Sequence, residues 1–153
     1  MKLKLVCVGR LGEAWLRDGV ADYSARIARY LPFETIELKE EQGDPRRRLE
    51  EEGRRILARL AATAFAVVLD ERGRQLPSAG VAELLEKHMV GGTAEVVLVI
   101  GGAYGLSDAV RQRGNLLLSL SALTLPHQLA RLLLTEQLYR GLTIIRHEPY
   151  HNR

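Results

Sequence analysis

The sequence predicts an α/β domain: a mainly parallel sheet with helices on both faces. Strand-like runs alternate with helix-like runs along the chain. Two interior runs, Ala64–Leu69 and Glu95–Ile100, are nearly continuous in apolar residues, as strands buried on both faces should be. The length, 153 residues, suits one domain with a substantial core and leaves little room for a second.

Lys2–Val8 reads as the first strand and ends at Gly9. Glu13–Tyr30 is helical, with Trp15, Leu16, Val20, Tyr23 and Ile27 recurring at helical spacing. Phe33–Leu38 is a second strand with weak alternation. Pro45 opens a helix to about Ala61, since its missing N–H costs nothing in a first turn. That helix holds the densest charge in the chain: Arg46, Arg47 and Arg48, then Glu50, Glu51 and Glu52, then Arg54 and Arg55. Arg47/Glu51 and Glu51/Arg55 fall four residues apart, which favours a solvated helix face over a nucleic-acid arm.

Ala64–Leu69 is the third strand and stops at a turn, Asp70-Glu71-Arg72-Gly73. Pro77-Ser78 precedes a helix through Val81, Leu84, Leu85 and Met89. Glu95–Ile100 is the fourth and most apolar strand, running straight into Gly101-Gly102. A short helix starts near Ser107, which with Asp108 offers an N-cap. Leu116–Leu120 is a last short strand, and Pro126 opens a long helix to about Leu142. Residues 143–153 are read as a polar tail of the same single domain. The long helix is apolar over a wide arc, through Leu129, Leu132, Leu133, Leu134, Leu138 and Leu142. Such an arc favours a second partner, a homodimer, over burial within one protomer.

Composition narrows the function classes. With 46% hydrophobic and 27% charged residues, disordered, collagen-like and coiled-coil classes are out. No apolar run approaches a membrane span, and the lysines alternating through the start do not suit a signal peptide. Cys7 is the single cysteine, so neither an intramolecular disulfide nor a thiolate metal cluster is available. A cytoplasmic protein is the expectation. Net charge is only +3, yet Ala109–Thr135 holds no acid while Arg111, Arg113 and Arg131 sit within it. That stretch suits an anionic partner such as RNA, or is a gap in a buried region.

Ligands of open α/β sheets sit beyond the carboxyl ends of the strands. Three such ends carry unusual chemistry: Leu69-Asp70, Gly101 to Gly105, and Leu120 to Pro126. The paired glycines allow close approach to backbone, or serve turn geometry alone. No G-x-G-x-x-G with its later acid is present, and no phosphate loop, so both common nucleotide folds lose support. His88, His127, His147 and His151 form no metal spacing, Cys7 reads as an inert buried thiol, and Ser119 and Ser121 lack a visible triad partner. Absence of an evident catalytic machine points to chemistry brought by a cofactor and driven by positioning. The end of the chain, Arg146 to Arg153, has two arginines, two histidines and a tyrosine able to contact phosphates and stack on bases, unless it is simply solvated.

Ile100-Gly101-Gly102, Gly105-Leu106-Ser107, Ser119 through His127 (Ser-Leu-Ser-Ala-Leu-Thr-Leu-Pro-His), Glu136-Gln137-Leu138-Tyr139-Arg140 and Pro149-Tyr150-His151 resemble one family in order and spacing. It is the ribosomal RNA large-subunit methyltransferase H family of the SPOUT superfamily. The resemblance spans the chain and is sharpest from Ile100 onward.

The resemblance implies a C-terminal deep trefoil knot and S-adenosylmethionine as methyl donor. It implies a cofactor site lined by Leu69, Gly101, Leu120, Ser121, Ala122, Leu123, Thr124 and Leu125, the same three strand ends named above. The implied reaction is methylation of N3 of a pseudouridine in 23S rRNA of the assembled 70S ribosome, by a homodimer whose tail from one protomer completes the other's site. By match to the family's motifs, Tyr150 and His151 are candidates to accept the imide proton, and Arg140 to stabilise anionic charge or grip phosphate. His127, Arg131, Arg146 and Arg153 are candidate RNA contacts, with His127 suited to orienting its loop more than to acting as base. Ala103-Tyr104 occupies positions where relatives vary, which implies altered substrate fit and not loss of the cofactor. No metal and no membrane are expected. The alternatives are a SPOUT methyltransferase of another RNA such as tRNA, and a non-catalytic RNA-binding module.

Overall fold

Valine, leucine and isoleucine dominate three strands that lie side by side at the centre of the sheet, and this alone dictates two cores. A computed structural model describes residues 1–152. Its elements are β1 (Lys2–Val8), α1 (Ala14–Ala28), β2 (Phe33–Leu38), α2 (Pro45–Leu57), β3 (Phe65–Gln75), α3 (Ser78–Val90), β4 (Glu95–Ile100), α4 (Asp108–Arg113), β5 (Leu116–Ser119) and α5 (His127–Ile145). The five strands form one sheet in the order β2-β1-β4-β3-β5, and every pairing is parallel. This is the predicted α/β architecture.

Register sorts the side chains. Leu5, Leu98 and Val67 stand opposite one another across β1, β4 and β3. They join Ile27 of α1, Val81 and Leu85 of α3, and Leu134, Leu138 and Leu142 of α5 in one core. One residue on, Val6, Val99 and Val68 are opposite one another and face the other side. There they pack with Ile56 of α2 and Val110 of α4. A strand's period of two thus assigns α1, α3 and α5 to one face and α2 and α4 to the other. Each such side chain contributes roughly 1.5–3 kcal/mol by leaving water.

Several boundaries differ from the sequence reading. β3 does not end at Leu69: Leu69 and Arg74 both pair with Leu118, so Asp70–Gly73 is thrown out as a bulge before the strand resumes. Gly73 permits this, because a Cβ there would lie 2.6 Å from the Leu117 backbone. α5 runs three residues past Leu142, to Ile145, with Thr143 fully buried and its hydroxyl returned to the Arg140 carbonyl at 2.7 Å. The tail therefore begins at Arg146, not at 143. Most of the apolar arc of α5 is also covered within the protomer: Leu134, Leu138 and Leu142 lie in the core, and Leu132 packs on Leu11, Leu16 and Val20. Leu129 remains exposed, as do Trp15 and Leu123. No helix among the described residues is long and apolar enough to cross a membrane.

Arg131, expected on the RNA-facing surface, is instead 2% exposed. Its guanidinium donates to the Gly9 carbonyl at 2.9 Å and to Glu37 Oε2 at 2.5 Å, fastening α5 to the carboxyl end of β1 and to β2. The acid-free stretch hid this, because the neutralising carboxylate lies 94 residues away. Since Glu37 is itself 43% exposed, the ion pair adds little; the buried Gly9 carbonyl and the filled volume matter more. Arg131→Ala should lower unfolding free energy by about 2–4 kcal/mol in urea titrations, through a cavity and an orphaned carbonyl. Arg131→Met, which keeps the volume, should recover about half of that loss.

Candidate functional site

Because all five strands are parallel, the bulge within β3 and the loops after β4 and β5 gather at one end of the sheet. They enclose a cleft of about 850 Å³. Leu69 to Arg72 form one wall, Ile100 to Leu106 a second, and Leu118 to Leu125 a third, closed by Pro126, His127 and Ala130 of the start of α5. The sequence-predicted cofactor residues Leu69, Gly101, Leu120, Ser121, Leu123, Thr124 and Leu125 all line it. Ala122 sits in the same loop but is exposed and outside the lining.

The second wall is a tight reversal. Gly105 has φ +82° and donates its N–H to the Gly102 carbonyl at 3.0 Å. Gly101 is required here for space: a Cβ on it would lie 2.6 Å from the Gly105 carbonyl. Ser107 then caps α4 as expected, accepting from the Val110 N–H. The third wall is stapled by two serines. Ser119 Oγ donates to the Ser121 carbonyl at 2.9 Å, and Ser121 Oγ accepts from the Leu123 N–H at 2.9 Å. Among the described residues no backbone–backbone hydrogen bond ties Leu120–Leu125 elsewhere, so apart from the Ser121 carbonyl and the Leu123 N–H its peptide groups are available to a ligand.

Asp70 anchors the first wall. Its side chain is 4% exposed and accepts from Arg111 Nε at 2.5 Å and from the Arg72 N–H at 2.8 Å. Burial pushes the carboxyl up, but the hydrogen bonds from Arg111 and Arg72 outweigh it and hold the pKa at about 2. The β3 bulge is thereby locked to α4, and Arg111, read earlier as an RNA-facing charge, is committed to Asp70 and to Asp108 at 3.2 Å.

A second cluster lies at the other end of α5. His147 takes φ +57° just past the helix, while its N–H reaches the Ile144 carbonyl and the Glu148 N–H reaches Thr143. That double bond is a Schellman cap, and it turns the tail back onto α1 and α5. Tyr150 then donates to Glu136 Oε2 at 2.8 Å, Arg140 clamps the same carboxylate at 2.7 Å, and Tyr30 donates to Glu148 at 2.5 Å. Arg140 Nη1 lies 3.1 Å from His151 Nδ1. Guanidinium nitrogens only donate, so Nδ1 accepts and the His151 proton sits on Nε2. Burial, with the bonds to Tyr23 and Glu136, pushes the Tyr150 phenol far above its ordinary pKa, so it is held as a neutral donor. Burial works against the Glu136 charge, but the bonds from Arg140 and Tyr150 hold it below the usual carboxylate range.

Arg140, Tyr150 and His151 are thus brought together, but not at the cleft of their own protomer. Ten residues of helix separate Arg140 from the cleft-lining Ala130, about 15 Å at 1.5 Å per residue. Arg146 is exposed beside a small pocket with Arg26, Arg29, Tyr30, Tyr139 and Glu148. His127 stands at the start of α5, its Nε2 4.0 Å from Glu40. Arg153 lies outside the described residues. Sequence reasoning missed Glu136 as the hub of the tail cluster, although its spacing of four to Arg140 was a readable signal.

The sheet order and the three-walled cleft define a class, and comparison with known proteins agrees. A family model described as "Predicted SPOUT methyltransferase" matches residues 1–151. A Syntrophotalea carbinolica protein named ribosomal RNA large subunit methyltransferase H is 56% identical, covering 100% of both chains. A Streptococcus gordonii protein of the same name is 42% identical over 99% of each. Among solved structures, a methylase-family protein from Neisseria gonorrhoeae aligns over 99% of this chain and 86% of its own with TM-score 0.55 at 16% identity. The SpoU methyltransferase AviRb of Streptomyces viridochromogenes, solved with AdoMet, aligns over 97% of this chain and 59% of its own with TM-score 0.50 at 17% identity. The chain belongs to the SPOUT methyltransferases and, within them, to the ribosomal RNA large subunit methyltransferase H family.

The Asp70 clamp has a measurable signature. A depressed carboxyl pKa contributes stability that is complete above the unfolded value near 3.9 and is lost as pH falls toward about 2. Asp70→Asn should lose on the order of 2 kcal/mol at pH 7, and its unfolding free energy should fall less than the parent's between pH 4 and 2 in denaturant titrations.

Proposed function

We propose that the chain methylates N3 of a pseudouridine in 23S rRNA of the assembled 70S ribosome, using S-adenosylmethionine. One observation carries the reading: the β3 bulge and the loops after β4 and β5 of a SPOUT-family chain converge on a single cleft whose walls mix apolar and polar groups. The donor set suits the methyl donor. Leu69, Leu120 and Leu125 offer apolar surface to a nucleoside, the peptide groups of Leu120–Leu125 other than the Ser121 carbonyl and the Leu123 N–H are available to an adenine edge, and the volume lies in the range of small-molecule sites. Bound there, S-adenosylmethionine would supply an electrophilic methyl group on a sulfonium.

The chain's own residues must bring N3 in line and deal with its proton. N3–H of a uracil ring is a weakly acidic imide. His151 is suited to accept that proton only once Arg140 releases Nδ1. Arg140 Nη1, so released while Nε and Nη2 stay on Glu136, is free to face the imide oxygens where negative charge develops. Tyr150, a neutral donor on Glu136, positions the pair and is not the base. These residues sit about 15 Å along α5 from their own cleft, so the reading includes a homodimer in which one protomer's tail meets the other's cleft. Exposed Trp15, Leu123 and Leu129, all apolar, supply surface for that contact. It also includes the threaded knot, supported by the path of α5, which leaves edge strand β5 and returns to be held at Gly9 and Glu37. A cytoplasmic location follows from a ribosomal substrate.

The test offers labelled S-adenosylmethionine and, separately, intact 70S ribosomes lacking the modification, free large subunits and bulk tRNA. Label is expected on a pseudouridine of 23S rRNA in intact ribosomes, located by nuclease digestion and mass spectrometry. Label on tRNA, or on free subunits alone, would overturn the substrate. No label with donor still bound would reduce the chain to a binding module. His151→Ala should lower kcat roughly 100-fold or more with donor affinity unchanged in calorimetry, whereas Tyr150→Phe should lower it less.

A further inference from the structure

Tyr104 is an aromatic ring left 51% exposed at the mouth of the cleft. It rides on the two-residue turn Ala103-Tyr104 between Gly102 and Gly105, which pair with each other as an isolated bridge. That turn has no slack beneath it. A Cβ on Gly102 would lie 3.1 Å from Val8 and 3.4 Å from the carboxylate of Glu52, a buried residue whose other oxygen accepts the Glu41 N–H at 3.0 Å. The ring is therefore presented by a packed loop.

One face of the ring is already used. The Arg48 guanidinium, from the first turn of α2, lies over it at 4.7 Å from the centroid. No ion pair neutralises Arg48 among the described residues, and its buried Nε has no partner. Its neighbours Arg46 and Arg47 are exposed, with Arg46 paired only at 3.4 Å to an exposed Glu50. Arg48, from the charged start of α2, thus brings positive charge to a ring that is half exposed at the cleft mouth. A braced, half-exposed ring beside an arginine with no ion pair is the pairing that single-stranded nucleic acid recognises: a base on the ring, a phosphate on the guanidinium.

We infer that Tyr104 is a stacking platform for a nucleotide of the RNA substrate, braced by Arg48, which also draws the adjoining phosphate. The inference rests on the reading of the cleft as the methyl-donor site. A base that reacts in such a cleft must leave its own stack, and a flanking ring offsets part of that loss.

The experiment pairs calorimetry of S-adenosylmethionine binding with methyl-transfer kinetics on ribosomes lacking the modification, for the parent protein, Tyr104→Ala, Tyr104→Trp and Arg48→Gln. Tyr104→Ala should bind the donor as the parent does and raise KM for ribosomes roughly ten-fold, the loss expected of one stacked base, with kcat nearly unchanged. Tyr104→Trp should restore KM, since any flat ring serves. Arg48→Gln should raise KM by about three-fold and flatten its salt dependence. A KM within two-fold of the parent in Tyr104→Ala would overturn the inference. So would a matching loss of donor affinity, which would make the ring part of the cofactor wall. If the parent itself fails to bind the donor, the reading of the cleft falls and the inference falls with it.

Discussion

Two-sided burial of β1, β4 and β3 is the constraint on which everything else in this molecule depends. Parallel strands covered on both faces have no solvent-facing side on which to carry polar chemistry. Leu5, Val67 and Leu98 face one core and Val6, Val68 and Val99 the other, so reactive groups can appear only where the strands stop. All five strands stop at the same end. The cleft is a geometric consequence of a sheet with no antiparallel member, and its three walls are the bulge of β3 and the loops that follow β4 and β5.

Each wall is then stiffened by a different device. The β3 bulge is held by a charged clamp, Asp70 to Arg111 and Arg72. The β4 loop is held by sterics, with glycine at 101 and a left-handed glycine at 105. The β5 loop is held by two serine hydroxyls. Charge, volume and hydrogen bonding respond differently to pH and salt, so no single solution condition loosens all three walls together. α5 joins the walls to the rest of the fold, since Arg131 fixes it to β1 and β2 at one end and the folded-back tail fixes it to α1 at the other.

The elements whose chemistry is local were legible in the sequence. Glu95–Ile100 has the bounds its apolar run implied, and Ser107 caps its helix. The segments at Leu69, Gly101 and Leu120 stood out in the sequence because turn chemistry follows apolar runs there, and they line one cleft. What was illegible depends on distant partners. Asp70–Gly73 has the composition of a terminating turn, and nothing local says that Arg74 returns to the same Leu118 that Leu69 already holds. Arg131 looks like a surface charge until Glu37 and Gly9 are folded against it. Thr143 looks like the start of a tail because its hydroxyl is polar, yet the helix's own carbonyl satisfies it. The left-handed cap at His147 departs from the usual glycine, so the return of Tyr150 and His151 onto α5 had no local signal.

A helix is a ruler, and α5 measures why the two functional clusters belong to different copies on the proposed reading. Its first turn lines the cleft, and its tenth residue beyond Ala130 carries Arg140. No rotamer spans about 15 Å, and the tail that might bridge the gap runs the wrong way, pinned by Tyr30 and Glu136. Bringing Tyr150 and His151 to their own cleft would require breaking the Schellman cap and the four tail hydrogen bonds to Tyr30, Glu136, Arg140 and Tyr23, and Arg140 would still be held where the helix puts it. A second protomer asks for none of this. On that reading the partner brings a preformed tail to a preformed cleft. The pinned tail is then an asset: a cluster fixed in advance adds little ordering entropy to the encounter, and the one contact that must give way is Arg140 on His151.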